Sequence, residues 1–137
     1  MRTGIWLDKR NAFIVKIEQD VENLVVVRSD VDDFKVWGGS GTRFKGGPQD
    51  VVQDSKYLKK EKHQLKNYFN SILHEIDETD ELLIIGPAEV PQYFYKHIET
   101  DNKDLFEKII ALKKEDSMTE NQIKAYVRDF FVKEFEV

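Results

Sequence analysis

A chain of 137 residues is long enough for one domain with a real core and too short for two, so a single domain over 1–137 is expected. The absence of cysteine excludes a disulfide framework and any thiolate metal site. No apolar run nears the roughly 18–20 residues of a membrane span, and Met1–Trp6 lacks the apolar stretch of a signal peptide, so a cytoplasmic protein with no membrane role is expected.

In chain order, residues 4–7 and 11–18 read as two strands joined by the polar turn Asp8-Lys9-Arg10, and 24–27 as a third. Phe34-Lys35-Val36-Trp37 is expected to extend a sheet edge. The next stretch, 38–49, holds five of the seven glycines: Gly38-Gly39-Ser40-Gly41-Thr42-Arg43-Phe44-Lys45-Gly46-Gly47-Pro48-Gln49. Ordering so many glycines costs extra backbone entropy, which points to a loop that lets its backbone approach another molecule closely. A helix over about 51–76 follows, with Leu58, Leu65, Phe69, Ile72 and Ile76 on one apolar stripe.

Residues 81–86 form a continuous apolar run ending in Gly86, as expected of a central strand covered on both faces. Pro87 and Pro91 mark the entry to a helix bearing Val90, Phe94 and Ile98. Residues 109–112 read as a fifth strand. Thr119 and Gln122 have the spacing of a capping box at the start of a last helix, whose stripe is Ile123, Tyr126, Val127, Phe130 and Phe131. The order β-β-β-α-β-α-β-α implies an α/β, three-layer α/β/α domain with a mixed five-stranded sheet, the RNase H-like arrangement.

Net charge is −5, yet residues 43–66 carry seven basic groups against three acidic ones, a local +4 that leaves −9 elsewhere. Arg43, Lys45, Lys56, Lys59, Lys60, Lys62 and Lys66 are therefore the candidate polyanion-binding residues. The same run also fits a solvated helix face.

Other chemistries fit poorly. A two-metal nuclease on this frame needs carboxylates from the first strand, the first helix and the fourth strand. Asp8 fills one place only, and reads better as a turn residue of the Asp8–Asn11 hairpin. The glycine loop has Gly47 and Pro48 where a phosphate loop places Lys and Ser or Thr. His63, His74 and His97 lack paired ligand spacing, so no metal or cofactor is expected; His97 reads as a cap of the second helix.

Gly46-Gly47-Pro48-Gln49, followed by Lys60-Glu61-Lys62-His63-Gln64-Leu65-Lys66-Asn67-Tyr68, resembles the central domain of the class-1 peptide release factors of eukaryotes and archaea, where a Gly-Gly-Gln loop precedes a long basic helix. Ile5-Trp6-Leu7-Asp8 through Ala12 is similar to the opening strand pair of the release factor and Pelota group. Leu83-Ile84-Ile85-Gly86-Pro87-Ala88-Glu89 is similar to its strand-to-helix step. The segment from Glu115 to Ile123 resembles one in bacterial release-factor-like proteins.

The resemblance implies a ribosome- or RNA-associated module of translation or ribosome rescue, with rRNA or tRNA as partner. It also implies a loop of Gly46, Gly47 and Pro48, and Gln49 as the residue that would position water against a peptidyl-tRNA ester. This chain departs from the family in placing Pro48 between the glycines and Gln49, which shifts the glutamine by one position and deletes a backbone N–H. Three readings follow: RNA or ribosome binding without chemistry, ester hydrolysis through Gln49, and a protein–protein adaptor using the loop or Tyr93-Phe94-Tyr95. Those aromatics also fit plain core packing. The sequence does not fix an oligomeric state.

Overall fold

The computed structural model describes residues 1–29 and 47–136, the side chains of 47–61 and 133–136 excepted. The expected edge at 34–37 and the loop residues 38–46, with Arg43, Lys45 and Gly46, lie outside the described residues. So do the side chains of Pro48, Gln49, Lys56, Leu58, Lys59 and Lys60.

Strands β1 (Arg2–Leu7), β2 (Asn11–Glu18) and β3 (Val21–Arg28) form an antiparallel meander. Asp8 makes the first turn: its Oδ1 accepts from the backbone N–H of Arg10 and of Asn11, both at 2.8 Å. The carboxylate thus satisfies two donors of the tight turn, the role its sequence position suggested. Gln19 and Asp20 make the second turn, with φ of 49° and 68°. Positive φ at both positions suits a two-residue hairpin, so pairing starts at once and β3 is longer than the expected 24–27.

Helix α1 (Gly47–Ile76) returns the chain to β4 (Glu81–Gly86), which lies parallel to β1. Then come α2 (Val90–Asp101), the single turn α3 (Lys103–Phe106), β5 (Ile109–Lys114) parallel to β4, and α4 (Glu120–Glu136). The strand order is β3-β2-β1-β4-β5, a mixed five-stranded sheet. Turn α3 was not expected; Asn102 starts it by accepting from the Leu105 N–H at 3.1 Å.

Strand alternation sends side chains to two faces, and the helices divide between them. On one face Ile5, Leu7, Ile14, Leu82 and Ile84 pack under α1 and α2. On the other, Trp6, Val15, Leu83 and Ile85 meet Ile123, Val127 and Phe131 of α4. The fold is therefore α/β with helices on both sides. Every side chain from Leu82 to Ile85 is fully buried, as a central strand requires.

Helix α4 sits close because Gly4 has no side chain: a Cβ there would fall 2.5 Å from Cγ2 and 2.6 Å from Cγ1 of Val127. The capping box forms as the sequence indicated, with Thr119 N–H donating to Gln122 Oε1 at 2.9 Å and Gln122 N–H to Thr119 Oγ1 at 3.1 Å.

Candidate nucleic-acid interface

Helix α1 is about 45 Å long at 1.5 Å per residue, against roughly 20 Å for the strands it covers. Its described core contacts run from Leu65 to Ile76, through Tyr68, Phe69 and Ile72. The sequence stripe is borne out at Leu65, Phe69, Ile72 and Ile76. Tyr68 adds an anchor that apolar spacing does not reveal: its hydroxyl donates to the Asp8 carbonyl at 3.0 Å, tying the helix to the end of β1. Burial, reinforced by the nearby Asp8 carboxylate, raises its pKa far above the ordinary phenol value.

Helix α2 is set by the turn that follows β4. Gly86 has φ of +154°, and a Cβ on it would meet the Leu7 carbonyl oxygen at 2.2 Å and Pro91 Cγ at 2.8 Å. Only glycine fits there. Ala88 follows in the left-handed region, at φ 56°. From this elbow α2 sends Phe94 and Ile98 into the core, both fully buried.

Where α1 and α2 meet, Phe69 lies with its ring centroid 5.2 Å from that of Phe94 and 5.5 Å from that of His97. His97 Nε2 lies 2.9 Å from Asn70 Oδ1 and 3.4 Å from an Asp101 carboxylate oxygen. Burial holds its pKa below the ordinary imidazole value; Asp101 opposes the shift and Lys66 adds to it. His97 thus joins the two helices and does not cap α2, whose last turn holds no basic residue. Asp101 lies on its own helix, but its hydrogen-bond partner Asn70 comes from α1, 27 residues away, which the sequence alone did not reveal.

The three aromatics of α2 also part company. Phe94 is core, and Tyr95 packs edge-on against Phe106 at 5.0 Å. Tyr93 is 48% exposed, with its hydroxyl donating to Glu89 Oε2 at 2.8 Å.

Between the two helices runs an open groove of about 540 Å³. Lys62, Leu65, Lys66 and Phe69 line it from α1, and Tyr93, Lys96 and His97 from α2. The three lysines are exposed, and no carboxylate among the described residues pairs with any of them. Of the sequence candidates, then, Lys62 and Lys66 are brought together with Lys96, which the sequence reading had missed. Gly47, Pro48 and Gln49 belong by backbone to the first turn of α1. Among the described residues no group of three or more His, Asp or Glu could hold a metal ion. No helix among them is long and apolar enough to cross a membrane.

At the level of the fold, this arrangement has a solved counterpart. The archaeal translation termination factor aRF1 is similar with a TM-score of 0.51 at 11% sequence identity, over 98% of this chain and 39% of that one. At such identity the likeness is one of architecture, and this chain spans only that 39% of the termination factor's length. No family model matches the sequence, and no curated protein matches it.

Proposed function

We propose that this chain is a release-factor-like module that associates with the ribosome or its RNA. The glycine-rich loop and the lysines of α1 (Lys56, Lys59, Lys60, Lys62 and Lys66), with Arg43 and Lys45, would form the contact. The observation that carries the reading is the pairing of the termination-factor architecture, over almost the whole chain, with a local +4 in a protein of net −5. Lysines on a helix neutralise phosphates and release counterions, a sequence-independent attraction that suits rRNA or tRNA.

The reading is one of binding without ester cleavage. A helix N-terminus offers its first N–H groups to a developing oxyanion, and Pro48 removes one of them from the first turn of α1. Cosedimentation with ribosomes tests the proposal. The wild-type chain should pellet with ribosomes at low salt and progressively less as salt rises, and Lys59, Lys60 and Lys62 changed together to Glu should abolish pelleting. Undiminished pelleting of that triple variant would overturn the proposal. Cleavage of peptidyl-tRNA by the wild type that disappears in Gln49→Ala would replace binding with hydrolysis.

A further inference from the structure

We infer that the outer edge of β3 is the contact of a twofold dimer, in which β3 of a second copy of this chain pairs with it antiparallel and the two sheets become one. The inference is independent of the ribosome reading above, since β3 carries none of the lysines proposed there.

The backbone is the first observation. β3 ends the sheet, and no other described segment pairs with its outer side. The two-residue turn makes Glu18 and Val21 the first hydrogen-bonded pair of the β2–β3 ladder, so Val21, Asn23, Val25 and Val27 direct their N–H and C=O groups at β2. The N–H of Ser29 keeps that alternation, donating to the Arg10 carbonyl at 2.9 Å. Glu22, Leu24, Val26 and Arg28 therefore direct theirs away from the sheet, where unpaired donors and acceptors form a template for another strand. Composition is the second. The other edge, β5, ends in exposed Lys113 and Lys114, charges that blunt an edge. β3 holds neither lysine nor proline and leaves Val21 and Val26 57% and 39% exposed.

Register is the third, and it names the occupant. Only a register that sets outward-directed residues opposite one another lets their backbone groups bond. With Val25 on the twofold axis, Glu22 falls opposite Arg28 of the second copy and Leu24 opposite its Val26, and both pairs recur across the axis. Unlike charges and apolar side chains placed opposite one another stabilise paired strands. A slip of two residues loses this, setting Glu22 opposite Val26 or Arg28 opposite Leu24. Glu22 already accepts from Arg128 at 2.6 Å, and Arg28 donates to Asn11 Oδ1 at 3.3 Å. A carboxylate has a second oxygen and a guanidinium further donors, so both have room for the new partner. A foreign strand would need this order of charges and apolar residues, which β3 read backwards supplies.

The test is sedimentation equilibrium of the full chain over a range of concentrations. An edge contact of this length is smaller than a standard protein interface, so the wild type should pass from monomer to dimer at micromolar concentrations or above. Val26→Pro removes an outward N–H and leaves the ladder to β2 whole, so it should fold and dimerise about tenfold or more weakly, with one bond lost from each copy. The chain has no cysteine, which makes a covalent test specific. In this register Val25 and its copy form a non-hydrogen-bonded pair with Cα atoms about 4.5 Å apart, within the roughly 4.4–6.8 Å that a disulfide spans. Val25→Cys should therefore give a disulfide-linked dimer on oxidation, seen on a non-reducing gel. Val21→Cys, on the same strand but far from its copy, should give little. Thermal unfolding of each variant establishes that it is folded. A wild type that stays monomeric at every concentration, with no crosslink in Val25→Cys, overturns the dimer and leaves the edge to a different strand. A dimer that Val26→Pro does not weaken, or equal crosslinking of Val25→Cys and Val21→Cys, overturns the β3 edge as its contact.

Discussion

Replacing Gly4 with Ala tests how α4 is seated on the sheet. The new Cβ would lie 2.5 and 2.6 Å from the two γ-methyls of Val127, and 3.1 Å from its Cβ. Ordinary carbon contacts are about 3.5–4.0 Å, so α4 must retreat by about 1 Å or β1 must bend. A retreat of that size forfeits about a quarter to a half of each lost dispersion contact, and Ile123 and Phe131 sit on the same face. The expected cost is about 1–3 kcal/mol, the range for an overfilled core, less a few tenths for the lower chain entropy of the unfolded state.

Val127→Ala alone removes two buried methyls and should cost about 2 kcal/mol from transfer and cavity together. In the double variant the added methyl enters the space those methyls leave. The two changes should then fall short of additivity by about 1 kcal/mol or more. Urea unfolding followed by circular dichroism measures all four corners of the cycle. Additivity to within about 0.5 kcal/mol, or a neutral Gly4→Ala, would refute the contact between β1 and α4.

Two further outcomes follow from residues described above. Tyr68→Phe loses the hydrogen bond to the Asp8 carbonyl and should lower stability by about 1 kcal/mol; an unchanged denaturation midpoint would show that this bond does not help hold α1. His97, held neutral by burial, has a folded pKa below its ordinary 6.5, so the unfolded chain takes up its proton first as pH falls. Its contribution is complete above about pH 6.5 and is lost as pH falls from there toward the folded value, so wild-type Tm should drop more between about pH 7.5 and pH 5 than that of His97→Gln. Equal drops would place the imidazole outside the interface of α1 and α2.

The sequence made legible those features whose partners lie nearby along the chain. Asp8 bonds to N–H groups two and three residues on, and Thr119 and Gln122 answer one another across one turn, so short patterns sufficed. The apolar run of β4 also announced its burial on both faces, and the order of elements led to the mixed sheet. Features made by distant partners stayed hidden. Tyr68 finds its acceptor 60 residues away and His97 its partner 27 away. Gly4 is an ordinary strand glycine until Val127 is placed against it. The candidate interface divided in the same way. Lysine density marked Lys62 and Lys66, and the run Tyr93-Phe94-Tyr95 was singled out as an adaptor surface, but Lys96 carried no signal, and Tyr93 and Lys96 join the α1 lysines only through the packing of α2.

Gly86 has a bearing on how resemblance itself should be weighed. Three segments converge on it: the Leu7 carbonyl, the Pro91 ring and, through a 2.9 Å bond to its carbonyl, the N–H of Glu115. Any chain that brings the end of β1, the start of a helix and the exit of β5 this close needs a residue without a side chain at the crossing. The Gly-Pro step that makes residues 83–89 look familiar is therefore a requirement of this crossing of segments, and by itself it carries no mark of a task. Selection for a particular task has its freedom elsewhere, on the helix surfaces that packing leaves open, and Tyr93 and Lys96 stand on one of them.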